Sequence, residues 1–177
     1  TVRSAGGGLR SLRLNPSAAV AQPTLTGLAS GSRNVTRAYV YFATLPDANI
    51  RVCGVTSSAP VVHFGVWFDV SESKLYCGKA SETYGATGVS VTTGQWYRID
   101  VDCKTDVTDS IAINAQVDGV ALGELLTTGS SFSHSSLYFG MPGTTWSGDM
   151  FVDDVAISLT GSDYPIGAGY VNHFIAT

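Results

Sequence analysis

Charge is what this sequence has least of. Lys, Arg, Asp and Glu together make up 14% of its 177 residues, against roughly 25% in typical soluble domains. Long surface helices carry Lys, Glu and Arg on their solvent side, so this scarcity argues against a helical protein. The net charge is −4 and the pI ≈ 5.1. No basic field exists to hold a phosphate backbone, and nucleic acid is not an expected partner. No apolar run approaches the roughly 18 residues of a membrane-crossing helix, so no membrane span is expected. The opening TVRSAGGG lacks the hydrophobic region of a signal peptide. Cysteine is scarce. Cys53, Cys77 and Cys103 permit at most one internal disulfide, and they lack the CxxC pairs of a zinc site. G-x-S-x-G, H-E-x-x-H, G-x-x-x-x-G-K and G-x-G-x-x-G are all absent. The histidines, His63, His134 and His173, stand in unrelated contexts.

What replaces charge is glycine, serine, threonine and alanine. Twenty glycines and many Ser/Thr clusters fit short strands joined by tight turns. Alternation predicts strands over Leu9–Leu14, Val35–Thr44, Asn49–Thr56, Val61–Val70, Lys74–Lys79, Gln95–Cys103, Ser110–Val117, Val120–Leu126, Phe132–Phe139 and Met150–Leu159. SETYGATG, residues 81–88, reads as a loop loosened by glycine. In Gln95–Cys103 the side chains of Tyr97, Ile99, Val101 and Cys103 share one face. Trp96, Arg98, Asp100 and Asp102 share the other. Asp118-Gly119 is a hairpin dipeptide. No stretch holds a period of 3.6 residues. Ten or more strands spaced by roughly 8–12 residues point to an all-β sandwich or barrel in one domain over 1–160. The segment 161–177 reads as a C-terminal extension.

The strand MFVDDVAISL, 150–159, carries adjacent carboxylates. Strict alternation places Phe151, Asp153, Val155 and Ile157 on one face, with Val152, Asp154, Ala156 and Ser158 on the other. Asp153 and Asp154 then face apart and cannot act on one substrate atom. Asn34-Val35-Thr36 is an N-glycosylation sequon, whereas Pro16 disqualifies Asn15-Pro16-Ser17.

The order of GLRSLRL (8–14), AYVYF (38–42), GQWYRI (94–99), VDG (117–119) and FVDDV (151–155) resembles the concanavalin A-like lectin/glucanase superfamily, especially its laminin-G-like jelly rolls. The resemblance implies a two-sheet antiparallel jelly-roll sandwich. The superfamily includes enzymes, lectins, adhesion modules and virion proteins, so fold does not give function. Members usually have a strand before the position of GLRSLRL, where this chain has only Thr1 to Gly7. The tail piece Tyr164-Pro165-Ile166-Gly167 is similar to tails of laminin-G-like proteins of phage type.

The superfamily's glucanases use an E-x-D-x-E strand, and retaining enzymes need carboxyl groups roughly 5–5.5 Å apart. Here the nearest substitute is Asp100-Val101-Asp102, read as a solvated sheet face with Arg98 as charge partner. A single structural calcium ion, if any cofactor at all, would use Asp149, Asp153 and Asp118. Sugar or partner contact falls to Trp146 in PGTTWSGD, with Asp149 nearby, and less strongly to Tyr84 in SETYGATG, because a sugar site pairs an aromatic plane with polar groups. The alternative for Trp146 is a loop anchor, and Trp67 and Trp96 read as packing residues. With no catalytic set found, the expected function is a non-enzymatic structural module of a virion or extracellular assembly, a coat, decoration or fibre subunit at the virion surface. A carbohydrate-binding, lectin-like module is the alternative. Homo-oligomerisation or a larger assembly would use the tail as an arm, with Tyr170, Val171, Phe174 and Ile175 adding a strand to a neighbour's sheet.

Overall fold

A computed structural model describes residues 11–14, 24–56, 64–79, 83–107, 110–127, 134–140 and 146–167. The expected arm residues Tyr170, Val171, Phe174 and Ile175, with His63 and His173, lie outside the described residues. Among the described residues there are twelve strands: β1 (Leu12–Leu14), β2 (Thr24–Gly31), β3 (Arg33–Thr44), β4 (Ile50–Thr56), β5 (Phe64–Asp69), β6 (Lys74–Lys79), β7 (Thr83–Ser90), β8 (Trp96–Val107), β9 (Ser110–Val117), β10 (Val120–Thr127), β11 (His134–Phe139) and β12 (Asp149–Ser158). A short 3-10 turn, Gly161–Asp163, follows.

The strands form two six-stranded antiparallel sheets. Sheet A runs β1-β12-β3-β8-β9-β10 and sheet B runs β2-β11-β4-β5-β6-β7. This is the expected jelly-roll sandwich. The core between the sheets takes alternate residues from each strand: Ala38, Val40 and Phe42 from β3; Tyr97, Ile99, Val101 and Cys103 from β8; Val66 and Phe68 from β5; Leu75 and Cys77 from β6. Period-two alternation in β8 therefore marks its inner face as the sequence predicts. The β9–β10 turn is the expected Asp118-Gly119, with both residues at positive φ (50° and 82°). SETYGATG is not a loop. Thr83–Ser90 is β7, the edge strand of sheet B, and its glycines serve neighbouring side chains rather than a turn.

The two-faced reading of MFVDDVAISL also needs correction. Asp153 pairs with Tyr39 and Ala156 with Arg37, so three steps on β12 answer two on β3. The extra residue is Asp154, at φ 48°, which makes a β-bulge. The bulge reverses the phase of the strand. Met150 and Val152 are in the core before it; Val155 and Ile157 pack against the core after it. Asp153 and Asp154 do not face apart across a flat strand: the Asp154 N–H donates to Asp153 Oδ1 at 2.8 Å.

All three cysteines are buried free thiols. Asn34 is buried in β3 and accepts from Thr36 Oγ1, so the sequon is closed to a glycan in the folded chain. Residues 161–167 fold back on the chain's own sheet. Ile166 is buried with Val35 and Ala156. Arg37 donates to the carbonyls of Ile166 (3.3 Å) and Gly167 (2.6 Å), and Arg98 donates to that of Ile166 (2.7 Å). Residues 161–167 therefore pack on sheet A's outer face beside Val35, Arg37, Arg98 and Ala156.

Candidate functional site

The outer face of sheet B is built in two cross-strand rows. The first runs Arg51, Trp67, Tyr76, Gly88 across β4 to β7. The second runs Tyr138, Gly54, Gly65, Gly78, Tyr84 across β11 to β7. The glycines explain how large side chains lie flat here. A Cβ on Gly54 would sit 2.6 Å from Arg51 Cδ. One on Gly78 would sit 2.7 Å from Trp67 Cδ1 and 2.9 Å from Tyr84 Cδ1. One on Gly88 would meet the Tyr76 ring at 2.4 Å. The second row is thus left bare so that the first can fold down over it.

Arg51 is fully buried, at 0% exposure. Among the described residues it has no carboxylate partner. One terminal nitrogen reaches the Gly140 carbonyl at 3.4 Å, long for a hydrogen bond. Its guanidinium carbon lies 5.2 Å from the Tyr138 ring centre, and its Nε has no partner. Burial pushes its pKa down to about 10. Trp67, its cross-strand neighbour, is also buried, and its indole N–H has no acceptor. Two adjacent buried donors thus lack acceptors, where nearly all such groups in folded proteins are satisfied.

The aromatic half of the face is held firmly. Tyr76 stacks on Tyr84 with ring centres 5.4 Å apart and planes 13° apart, and Tyr84 lies 6.5 Å from Trp67. The Tyr76 hydroxyl donates to Glu72 Oε2 at 3.0 Å. Burial, then that bond, raises its pKa. Glu72 also pairs with Lys74, which holds its carboxyl below the usual range. Asp69 fixes the turn by accepting from the N–H groups of Ser71 (2.8 Å) and Glu72 (3.2 Å).

Of the residues expected from sequence, only Tyr84 belongs to this site. Trp146 is buried in the core at 3% exposure. It is the loop anchor, because its apolar ring gains more from the sandwich interior than from water, and it offers no sugar-stacking surface. Asp149 is occupied by a two-pronged pair with Arg13, both contacts 2.8 Å. Asp118 accepts from the Arg98 backbone N–H at 2.8 Å, and Asp153 lies beside the bulge. Among the described residues no three His, Cys, Asp or Glu side chains converge as a metal site, so these three aspartates do not form the expected calcium cluster. Asp100 and Asp102 are not solvated; they are 0% and 9% exposed. Each is neutralised by its own arginine, Asp100 by Arg98 at 2.9 Å and Asp102 by Arg33 at 2.5 Å, so they are not an acid/base pair.

Arg51, Trp67, Tyr76 and Tyr138 escape a motif search. The legible signal was an arginine inside the apolar run IRVCGV, with glycines at registered positions in the neighbouring strands.

No known protein family and no curated protein matches the sequence. Solved structures do match its fold. An alginate lyase aligns with TM-score 0.60 at 12% identity, over 83% of this chain and 80% of its own. An endo-beta-1,4-glucuronan lyase from the fungus Trichoderma reesei gives 0.59 at 13%, over 88% and 84%. A GH43 glycoside hydrolase with endo-xylanase and exo-arabinofuranosidase activity gives 0.57 at 15%, over 87% of this chain but 35% of its own. These likenesses establish the sandwich.

They also correct three expectations. The reading as a non-enzymatic virion or extracellular coat, decoration or fibre subunit fails, because these neighbours are carbohydrate-active enzymes. The phage-type likeness of the tail finds no support there either. The expectation of no enzymatic activity falls with it. The absence of an E-x-D-x-E strand excludes one pair of catalytic carboxylates, not every way of cutting a sugar chain.

Proposed function

We propose that this chain is a carbohydrate-processing domain whose sheet B outer face receives an acidic sugar, with Arg51 meeting the sugar's carboxylate. The observation that carries this reading is the buried guanidinium with no counter-charge among the described residues, next to the indole N–H of Trp67, which has no acceptor among them. A carboxylate placed there accepts charge-assisted bonds, roughly twice as strong as neutral ones, and removes the cost of an unpaired buried cation. It displaces the Gly140 carbonyl, which is only weakly held. The stacked rings of Tyr76 and Tyr84 supply apolar planes for the C–H face of a sugar. Alginate and glucuronan, named for two of the neighbours, are chains of uronic acids with one carboxylate per unit.

An arginine on a uronate also prepares chain cleavage by elimination. Neutralising the carboxylate acidifies the C–H next to it. A base takes that proton, its electron pair forms a carbon–carbon double bond, and the glycosidic C–O bond breaks with its oxygen receiving a proton. No water is consumed, and no pair of carboxylic acids is required. Tyr138, whose ring centre lies 5.2 Å from the Arg51 guanidinium carbon, is the phenol placed to carry these protons, and Tyr84, four strands away, is platform. Tyr76 is tied to Glu72 and serves as platform.

The test is incubation of the purified chain with alginate, glucuronan and neutral xylan, following the ultraviolet absorbance of the unsaturated product. The expected result is product from an acidic polymer, none from xylan, and none with Arg51→Ala. Acidic oligosaccharide binding should weaken at least about tenfold in that variant, or ~1.4 kcal/mol. Undiminished binding and turnover in Arg51→Ala would refute the assignment.

A further inference from the structure

Charge is spread unevenly along the sheet B site. Of the described cations, Arg13, Arg33, Arg37, Arg98 and Lys104 lie on strands of sheet A. Sheet B has Arg51, Lys74 and Lys79. The β5–β6 ladder runs unbroken, so Lys79 falls on the core side with Leu75 and Cys77, and Lys74 on the outer side with Tyr76. Lys74 is already paired with Glu72. Among the described residues, Arg51 is therefore the cation of that face without a counter-charge. Negative charge gathers two strands away. Glu72, its side chain 51% exposed, accepts from the Tyr76 hydroxyl. Asp69 stands on the outer side of β5 next along from Trp67, opposite Lys74. Hydrogen bonds hold both carboxyls below their usual range, from Lys74 and Tyr76 for Glu72 and chiefly from Ser71 for Asp69. Two carboxylates against the single ammonium of Lys74 leave this end of the face negative.

The two rows of the site lie roughly 7 Å apart, whereas five strands side by side span roughly 19 Å. The long axis of the site therefore crosses the strands, and an extended sugar chain on it runs from Arg51 past Trp67 to Tyr76. Resting on the uronate reading of Arg51, we infer that this face selects a sparsely charged acidic polysaccharide, with one uronate at Arg51 and neutral sugar units towards Tyr76. A polyuronate brings a further carboxylate up to Glu72 and Asp69, where no described cation is left to meet it. Like charges set against each other penalise that ligand, which is how a site rejects a near relative of its substrate. A neutral unit meets no such repulsion, and its hydroxyls can donate to the exposed Glu72 oxygens. Arg51 thus decides that a carboxylate is present, and the acidic turn after β5 decides that the next units carry none.

Titration calorimetry of the full chain tests it with two probes, a tetrasaccharide of four glucuronates and one with a single internal glucuronate among neutral hexoses. Wild type should bind the singly charged sugar at least about tenfold more tightly, and the gap should narrow in high salt, which screens exposed charges. Glu72→Gln keeps an acceptor for the Tyr76 hydroxyl and frees Lys74. It should raise affinity for the tetraglucuronate at least about fivefold and leave the singly charged sugar within about twofold. The opposite change, Lys74→Met, should widen the gap, which keeps the test decisive if the first variant folds poorly. Arg51→Ala should weaken both sugars. Equal or tighter binding of the tetraglucuronate by wild type, or a ratio unmoved by both turn variants, would overturn the inference while the Arg51 reading stands. Binding of neither sugar by wild type, or undiminished binding in Arg51→Ala, would overturn that reading and the inference with it.

Discussion

A cation such as Arg51, buried with no counter-charge among the described residues, is a debt in stability that a ligand can settle. Fold alone does not need it: Ile50, Val52 and Val55 of the same strand supply the core contacts. The cysteines are the opposite case, residues whose chemistry burial switches off. Burial pushes the thiols of Cys53 and Cys77 up to about 12 and raises that of Cys103 as well. A thiolate is the reactive form, so a thiol-reactive dye at pH 8 should label none of the three in the native chain and all three in denaturant. Rapid native labelling of even one would contradict the packing described. The sign of the linkage follows. Unfolded thiols ionise from about pH 8.5, while folded Cys53 and Cys77 hold their protons to about 12. Their contribution to stability is complete below the unfolded value and is lost as pH climbs through that window.

Within elements, the bulge in β12 decides which side chains reach the core. Asp154 supplies the extra residue and tolerates positive φ because its short polar side chain suits that conformation. Asp154→Gly should change stability by no more than about 1 kcal/mol. Deleting Asp154 removes the extra residue and sets Val155 opposite Ala38, with Val155 and Ile157 still inward, so it should cost no more than about 3 kcal/mol. Chemical denaturation of both variants measures this, and a deletion that fails to fold would show that the bulge itself is needed. The same strand marks how far the sequence could be read. Alternation in Gln95–Cys103 gave the inner face of β8 correctly because nothing interrupts its ladder. In MFVDDVAISL the pattern broke silently, because a bulge is one residue with no required type. In β7 the glycines of TYGATG looked like loop punctuation. Their function lies in other strands: Gly88 makes room for Tyr76, a contact set by pairing rather than by sequence distance. The candidate site was least legible for that reason, since its rows are assembled from β4, β5, β6, β7 and β11.

At the scale of the whole molecule, one sandwich presents two differently finished faces. Sheet B carries the buried arginine and its flat-lying rings. Sheet A carries paired acids, a strap and a half-buried aromatic row. The strap belongs to the body over residues 161–167, whatever role the residues beyond have. Removing 161–177 should expose Val35 and Ala156 and strip Arg37 and Arg98 of the Ile166 carbonyl. The melting temperature should fall, and Ile166→Ala alone should cost about 2 kcal/mol or more. An unchanged melting temperature after truncation would show that the strap adds no stability.

The most direct test of the central claim is a paired measurement on Arg51→Met: its stability to denaturant, and its affinity for an acidic oligosaccharide. Replacing a buried, unpaired cation by an apolar side chain of similar length should leave stability unchanged or raise it by up to about 4 kcal/mol, while affinity for the uronate is lost. A variant that unfolds easily but binds the acidic sugar as wild type does would show that Arg51 is structural, and that the carboxylate site lies elsewhere.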